Sequence, residues 1–368
     1  MNFKIKKEKL LNVLQIVDKA VSQNTPKPSL KGVLIESFQN KIVFITSDLH
    51  ISIKTELTNL EDFEIKEEGK ILLDEKILIE ISRKIESEYI NFETMDGNLI
   101  AVYGGDSKFQ LNTIDFESYP EINFDSLNSR FNVKSCILKS IIEKTAYACS
   151  EKEIHPNLTG VNLFSKLGKL HASATDQFRF SRKTFDIDFQ DEFNIIVPKK
   201  YFINAVQCIG ENESVDIEIQ STKILFFINE TIITVELVED LFPNITNIFN
   251  QSIIGSLIIN RSKLSKMIER CSLIKDEKNN SVVRINIKNN KLKLTSTNNI
   301  SSAVEEIDID KYKGEDVEIL FSSKFLQDAL KVIDTEDVMI QFSGALKPIF
   351  VKNIDDESLI MLISPQRP

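Results

Sequence analysis

The sequence predicts an α+β protein in which one unit is repeated three times, each copy placing two helices on one face of antiparallel sheets. Each third of the 368 residues opens with a strand that leads into an amphipathic helix, and a second strand and helix follow. The remaining strands alternate apolar and polar residues. Alternation indicates that each sheet has one buried and one solvent-exposed face, so the helices are expected to cover the buried face.

The first strand and helix of each third are the clearest part of the repeat. Leu10, Leu14 and Val17 keep helical spacing in the first copy, as do Leu138 and Ile141 in the second. The three segments are "FKIKKEKLLNVLQIVDKAV" (3–21), "FNVKSCILKSIIEKTAYAC" (131–149) and "LIINRSKLSKMIERCSLI" (257–274).

The second strand and helix recur as "KILLDEKILIEISRKI" (70–85), "NIIVPKKYFINAVQCI" (194–209) and "EILFSSKFLQDALKVI" (318–333). We expect Asp74 and either Ser322 or Ser323 to cap their helices, and Pro198 to be an early helical residue. Matching acidic, aromatic and Pro signals at 116–125 and 238–251 indicate linkers. The sequence therefore predicts domains at 1–126, 127–252 and 253–368.

A polar pair ends one strand in every third. The stretches are "VFITSDLHI" (43–51), "LHASATDQF" (170–178) and "LKLTSTNNI" (292–300), and they place Asp48, Asp176 and Asn298 in equivalent positions. One alternative is a hydrolase whose acidic site includes Asp48 and Asp176. A catalytic carboxylate would not tolerate Asn298, whereas a turn accepts both residue types. The pair is therefore interpreted as a turn.

Composition excludes several classes of protein. With 42% hydrophobic and 27% charged residues the chain is typical of a globular protein, and it has neither a membrane-spanning run nor an export signal, which predicts a cytoplasmic location. The four cysteines lack metal or disulfide spacing and are interpreted as small core residues. The three histidines lack ligand spacing, and no phosphate loop or nucleophile motif is present. We expect no cofactor, no metal and no catalysis.

The charge is distributed unevenly. The net charge is −10, yet the six predicted helices together carry +6, so the rest of the chain carries −16. Lysines on solvated helix faces are one interpretation. The other is that the helices share a surface that meets a polyanion without reading its sequence.

The whole chain resembles one family, the bacterial β sliding clamps, which are the beta subunits of DNA polymerase III. The resemblance is carried by the three repeats, by "MNFKIKKEKLLNVLQIV" at the start, "SATDQFRFSR" in the middle, "VEDLFPNI" at the second linker and "SPQRP" at the end. It implies the DNA clamp fold, in which two chains join head to tail into a ring around duplex DNA. It also implies a clamp loader, a tethered replicative polymerase and other clamp-motif proteins as partners, and no catalysis.

The resemblance also implies a cleft for partner peptides between the second and third domains. An apolar pocket with few polar groups suits a short linear peptide. The matching residues are Leu158, Thr175, Phe178, Arg179, Phe180, Pro243, Ile248, Leu346, Pro348, Leu362, Ile363, Pro365 and Arg367.

Two further surfaces follow from the resemblance. The lysines expected to face DNA are Lys27, Lys139, Lys199, Lys200, Lys263 and Lys266. The residues expected at the contact between chains are Phe109, Leu273 and Ile274, with Lys76 and Glu305 or Glu306 as rim charges. From the sequence alone, the interpretation of the apolar three as core residues is favoured. A scaffold of the same repeated fold that never encircles DNA is a further alternative.

Several residues depart from the family pattern. Gln177 stands where Gly is common, and Asn24 and Asn247 stand where basic residues are common. Ser364 and Pro368 replace apolar residues of the closing motif. The sequence therefore does not predict the peptide preference of the cleft.

Overall fold

In the computed structural model, the described residues are 1–22, 24–245, 249, 251–277 and 279–366. Within them, six α-helices occur, two in each third of the chain, as the repeat predicts. Their bounds are α1 Lys7–Val17, α2 Glu75–Lys84, α3 Ser135–Thr145, α4 Lys199–Gln207, α5 Arg261–Cys271 and α6 Ser323–Lys331.

The strands keep the same order around the helices in each third. In the first third they are β1 Asn2–Lys6, β2 Gly32–Phe38, β3 Lys41–Ser47, β4 Ile51–Leu57, β5 Phe63–Glu67, β6 Gly69–Asp74, β7 Tyr89–Met95, β8 Leu99–Gly104 and β9 Ser107–Asn112. In the middle third they are β10 Phe131–Lys134, β11 Gly160–Lys166, β12 Lys169–Thr175, β13 Arg179–Asp186, β14 Phe193–Pro198, β15 Ser214–Ile219, β16 Lys223–Ile228 and β17 Thr231–Glu236. In the last third they are β18 Gly255–Asn260, β19 Val282–Lys288, β20 Lys291–Thr297, β21 Ser302–Asp308, β22 Tyr312–Gly314, β23 Val317–Ser322, β24 Asp337–Phe342, β25 Ile349–Asn353 and β26 Leu359–Ile363.

The described strands form antiparallel sheets, and two of these sheets continue from one third into the next. An eight-stranded sheet has the order β10-β15-β16-β17-β4-β3-β2-β6, so β17 of the middle third pairs with β4 of the first. A nine-stranded sheet has the order β14-β11-β12-β13-β26-β25-β24-β18-β22, so β13 pairs with β26 of the last third. The other two sheets, β5-β1-β7-β8-β9 and β21-β20-β19-β23, each belong to a single third.

This strand pairing divides the middle third between two compact units. The first unit comprises Met1–Leu138 and Lys200–Leu237, and the second comprises Lys139–Lys199 and Val238–Pro368. Each unit therefore holds one outer third and part of the middle third. The repeat in the sequence and the compact unit of the structure are different divisions of the chain.

The three expected helix-start signals have different outcomes. Asp74 caps α2 by accepting a hydrogen bond from the backbone N–H of Ile77 at 3.0 Å. Ser322 occupies the cap position of α6, but its side chain makes no capping hydrogen bond. Pro198 ends β14 and α4 begins one residue later, so its predicted place inside the helix is wrong.

The cores contain the apolar residues that the alternation in the strands and the spacing in the helices predict to be buried. In α1 the buried residues are Leu10, Val13, Leu14 and Val17, and in α5 they are Leu264, Met267, Ile268 and Cys271. Cys149 is also buried and Cys208 is half-buried, whereas Cys136 is exposed on α3. The expectation that all four cysteines are core residues is therefore wrong for Cys136.

A buried carboxylate fixes the chain segment that follows the first third. Glu218 on β15 is fully buried and accepts hydrogen bonds from the backbone N–H groups of Leu127 and Asn128 at 2.8 and 3.0 Å. Its carboxylate also accepts from the side chains of Ser126 and Gln220. Burial opposes ionisation, but these donors outweigh it and lower the pKa of Glu218 to about 2.

Candidate functional site

The polar pair in each third forms the same turn. The side-chain Oδ1 of Asp48 accepts from the backbone N–H groups two and three residues later, at 3.0 and 2.9 Å. Asp176 Oδ1 makes the two equivalent bonds at 3.0 and 2.9 Å, and Asn298 Oδ1 makes them at 2.9 and 2.6 Å. The interpretation as a turn is confirmed, because one side-chain oxygen accepts the same two backbone hydrogen bonds in all three copies.

Gln177 follows Asp176 in this turn and has a positive φ of 77°. Leu49, the equivalent residue of the first third, has a φ of 79°. A side chain in this region of backbone space is strained, whereas glycine is not. This geometry explains why glycine suits the position that Gln177 occupies.

The C-terminal strand lies beside the segment 178–182. β13 and β26 pair antiparallel with Phe180 opposite Leu362 and Arg179 opposite Ile363. The backbone N–H of Ser364 also donates to the carbonyl of Phe178 at 2.8 Å. The structure therefore brings together two stretches that the sequence separates widely.

One face of these strands carries an apolar cluster. Phe180, Leu362 and Phe350 are buried in it, and Phe242, Ile245 and Phe249 of the second linker pack against them. Ile363 belongs instead to the core beneath α5 and α6. The prediction that Ile363 shares a pocket with Leu362 is therefore wrong, because successive residues of a strand point to opposite faces. Phe178 is 56% exposed at the edge of the turn.

Arg179 lies on the face opposite Phe180 and is nearly buried. Its Nε donates to Asp176 Oδ2 at 2.9 Å, and its Nη1 donates to Asp328 Oδ2 at 2.7 Å. Its guanidinium carbon lies 4.6 Å from the centroid of the Phe325 ring. Both carboxylates are thus committed to Arg179, which holds the turn against α6. Nothing in the sequence indicated Asp328 or Phe325 as its partners.

The other residues predicted for the cleft differ in exposure. Leu158 and Thr175 are buried, Pro243, Pro348 and Pro365 are half-buried, and Leu346 is exposed. Ile248 and Arg367 lie outside the described residues, as do Asn247 and Pro368. The aromatic residues Phe242, Phe249 and Phe350 were missed, although Phe350 stands between two apolar residues of β25, a short run that could have indicated a buried strand.

The predicted DNA-facing lysines are mostly solvent-accessible. Lys27, Lys200, Lys263 and Lys266 are exposed, and Lys139 and Lys199 are half-buried. Lys199 pairs with Glu151 at 2.5 Å, and Lys200 lies 3.9 Å from Asp48. Within the described part of the chain, the ammonium groups of Lys263 and Lys266 have no carboxylate within 4.0 Å. The lysines of α5 are therefore available for an external anion.

The residues predicted at the contact between chains lie at or near sheet edges. Phe109 is half-buried on β9, which has β8 as its single neighbour among the described strands. Glu305 and Glu306 lie on β21, which pairs with β20 alone, and they bind Arg270 and Lys291. Leu273 is 77% exposed, so the interpretation as core is wrong for it. Ile274 is half-buried, and Lys76 is exposed on α2.

Neither a metal centre nor a membrane helix is found in the described part of the chain. No group of three or more His, Cys, Asp or Glu side chains there could hold a metal ion. No helix within those residues is long and apolar enough to cross a bilayer.

Comparisons with known proteins agree along the whole chain. Family models for the DNA polymerase III beta subunit match at residues 1–123 (N-terminal domain), 132–244 (central domain) and 247–367 (C-terminal domain). Curated proteins named beta sliding clamp are similar as well. The protein from Bacillus subtilis (strain 168) is 30% identical and that from Staphylococcus aureus (strain N315) 29% identical, with 100% of this chain and 100% and 99% of those proteins covered.

Solved structures show the same likeness. The crystal structure of the DNA polymerase sliding clamp from Bacillus subtilis aligns with a TM-score of 0.95 at 30% identity, covering 100% of this chain and 99% of the other. The DNA polymerase III beta chain from Streptococcus pneumoniae TIGR4 aligns with a TM-score of 0.95 at 27% identity, and both chains are covered completely.

Proposed function

Because this chain belongs to the bacterial β sliding clamps, the non-catalytic beta subunits of DNA polymerase III, we propose that two copies close head to tail around duplex DNA. The ring so formed would tether the replicative polymerase and other clamp-motif proteins through the cleft at Phe180, after a clamp loader has placed it on DNA. In this proposal each copy has domains at 1–126, 127–252 and 253–368.

One observation carries the proposal of a ring, namely the internal symmetry of the strand pairing. The first third joins the middle third through β4 and β17, and the middle third joins the last through β13 and β26. In each join, the strand after the polar turn pairs with the last strand of the following third. The strand after the turn in the last third is β21, and the last strand of the first third is β9. Both of these strands lie at sheet edges and have one neighbour each among the described strands, so a third join of the same kind would pair β21 of one copy with β9 of another.

The symmetry also predicts the register of that third join. In the existing joins Thr55 pairs with Thr231 and Lys183 pairs with Leu359, each seven residues after the polar residue of the turn. The equivalent residue after Asn298 is Glu305. Ser107 begins β9 as Thr231 begins β17, and each pairs with the end of the preceding strand across a short hairpin. Ser107 of one copy should therefore lie opposite Glu305 of the other, with Phe109 opposite Ala303.

Disulfide cross-linking tests this register directly. The exposed Cys136 is first replaced by Ser, and Ser107→Cys is combined with Glu305→Cys. Paired residues of neighbouring strands have Cα separations that permit a disulfide, so oxidation should give a covalent dimer on a non-reducing gel. The control combines Ser107→Cys with Ile307→Cys, which is offset by two residues and should cross-link poorly.

The outcome separates the ring from its alternatives. Sedimentation should give about twice the chain mass of 42.0 kDa, and cross-linked rings should stay on circular DNA but leave linear DNA through its ends. If the protein is only a monomer at micromolar concentration, the ring is excluded. Equal cross-linking in the offset control would contradict the predicted register but not the dimer itself.

We also propose that the basic helices face the duplex. The lysines of α4 and α5 give attraction to phosphates without sequence readout, which suits a protein that slides. Neutralising four of them should reduce retention on DNA at low salt while leaving the fold intact, and added salt should mimic part of the loss. Unchanged retention in a folded variant would exclude this surface. The four are Lys199, Lys200, Lys263 and Lys266.

The cleft is proposed to hold a Leu or Phe of a partner peptide over Phe180 and Leu362. Deleting the last five residues, "SPQRP", removes Pro365 and Arg367 but little core, so dimer and fold should survive. The affinity of a labelled peptide from the replicative polymerase should fall about tenfold or more, which corresponds to about 1.4 kcal/mol. Unchanged fluorescence anisotropy titrations of the truncated dimer would place the partner site elsewhere.

A further inference from the structure

A cavity of about 440 Å³ lies on the same sheet face as Phe180. Its floor is formed by side chains that stand opposite one another on four neighbouring strands, so they project from one face. Residues 242–245 of the second linker line one side of it. The floor residues are Asn162, Phe164, His171, Ser173, Arg182 and Asn194.

Arg182 is the charged group of this cavity. Its Nε donates to Ser173 Oγ at 3.3 Å, and its guanidinium carbon lies 4.8 Å from the centroid of the Phe249 ring. Burial lowers the pKa of Arg182. Within the described residues no carboxylate lies within 4.0 Å of the guanidinium, and its two terminal amino groups make no hydrogen bond. Arg179, by contrast, has two carboxylate partners.

A cation that loses part of its hydration without a counter-ion raises the energy of the folded protein, and a bound anion reverses that cost. None of the residues that line the cavity is acidic. Asn194 uses its Oδ1 to accept a hydrogen bond from Asn162 Nδ2 at 2.6 Å, which leaves its own amide hydrogens for a ligand. The cavity thus offers a planar guanidinium fork, an amide donor and aromatic walls.

We propose that this Arg182 cavity binds the carboxylate of an acidic residue that flanks the motif of a partner peptide held in the cleft. The inference rests on the proposed peptide cleft. Two residues connect the sites, since Pro243 lines the cavity and is also a proposed wall of the cleft, while Phe249 contacts both Phe180 and Arg182. Arginine binds a carboxylate through two parallel hydrogen bonds, which fits an Asp or Glu side chain.

The test uses labelled peptides that all contain the same motif with a Leu and a Phe. They differ only in a residue that flanks this motif. One series carries Glu on the N-terminal or the C-terminal side of the motif, and the other carries Gln at the same positions. Anisotropy titrations are made with the full-length protein, with Arg182→Gln and with Arg284→Gln. Arg284 is a matched control because it loses the same charge from an exposed site already paired with Glu318.

The unaltered protein and Arg284→Gln should bind one Glu peptide about tenfold more tightly than its Gln counterpart. Arg182→Gln should lose that preference yet keep its affinity for the Gln peptide, and Arg182→Met should do the same if Gln perturbs packing. Equal affinity for Glu and Gln peptides in the unaltered protein would overturn the carboxylate site and leave the cleft intact. Failure of both peptides to bind would instead reject the cleft. Inorganic phosphate that abolishes the preference at concentrations where acetate does not would show a phosphate site and overturn the proposal.

Discussion

Replacing Glu218 by Gln should make the fold of the first unit weaker at neutral pH and less sensitive to acid. The carboxylate accepts four hydrogen bonds, and the NH2 group of Gln would face donors that its single oxygen cannot all satisfy. The pKa of Glu218 is about 2 in the folded chain, against an ordinary value of 4.5. That difference corresponds to about 3 kcal/mol of stability when the carboxylate is ionised in both states.

The pH range of the effect follows from the direction of the shift. Because the folded pKa is depressed, the contribution is complete above about pH 4.5 and is lost as the pH falls towards 2. Between pH 7 and pH 3 the unaltered protein should lose about 2 kcal/mol from this group, and Glu218→Gln should lose none from it. The difference in stability between the two proteins should therefore shrink by that amount.

Urea unfolding followed by circular dichroism measures the difference, since the chain has no Trp. Hydrogen exchange at the amides of Leu127 and Asn128 gives a local measure, because both donate to the carboxylate. Glu61→Gln is the matched control, as an exposed carboxylate with the same change of charge. A difference between Glu218→Gln and the unaltered protein that stays constant from pH 7 to pH 3 would refute the reasoning.

Two further predictions concern the proposed contact between copies and the turn. Phe109→Ala combined with Ile274→Ala should shift the dimer towards monomer in sedimentation, since large apolar side chains at a packed contact contribute a few kcal/mol; an intact dimer with a lower melting temperature would make both residues core. Gln177→Gly should raise the free energy of unfolding by about 0.5 to 1 kcal/mol and so raise the melting temperature. The glycine relieves the strain of the positive φ, at some cost in the entropy of the unfolded chain. Leu49→Gly is expected to behave in the same way, and a lower melting temperature for both would show that the turn is not strained.

Local features of the fold could be predicted from the sequence because their causes are local. The helices follow from apolar spacing, the start of α2 follows from Asp74, and the turns follow from one acceptor oxygen. The sequence did not reveal which face of a strand each side chain occupies, because a shift of one residue exchanges the two faces. Leu362 and Ile363 look alike in the sequence, yet they belong to opposite faces of β26.

Contacts between distant segments left no local signal. Nothing in the residues around Arg179 indicates that its second carboxylate partner is Asp328 on α6. The order of strands in the sheets was equally hidden, because β4 and β17 pair through backbone groups that every sequence shares. The cleft residues were therefore suggested by resemblance, and the positions of their side chains became known from the structure.

The unlike edges β9 and β21 have a consequence for how copies would associate. A contact between two different surfaces is heterologous, so every added copy exposes the same two edges again, and association ends only when the first and last copies meet. If they fail to meet, the product is an open filament, the aggregation hazard of any unprotected sheet edge. A substitution that alters the curvature of one sheet, far from either edge, would then be expected to yield fibres instead of inactive monomers.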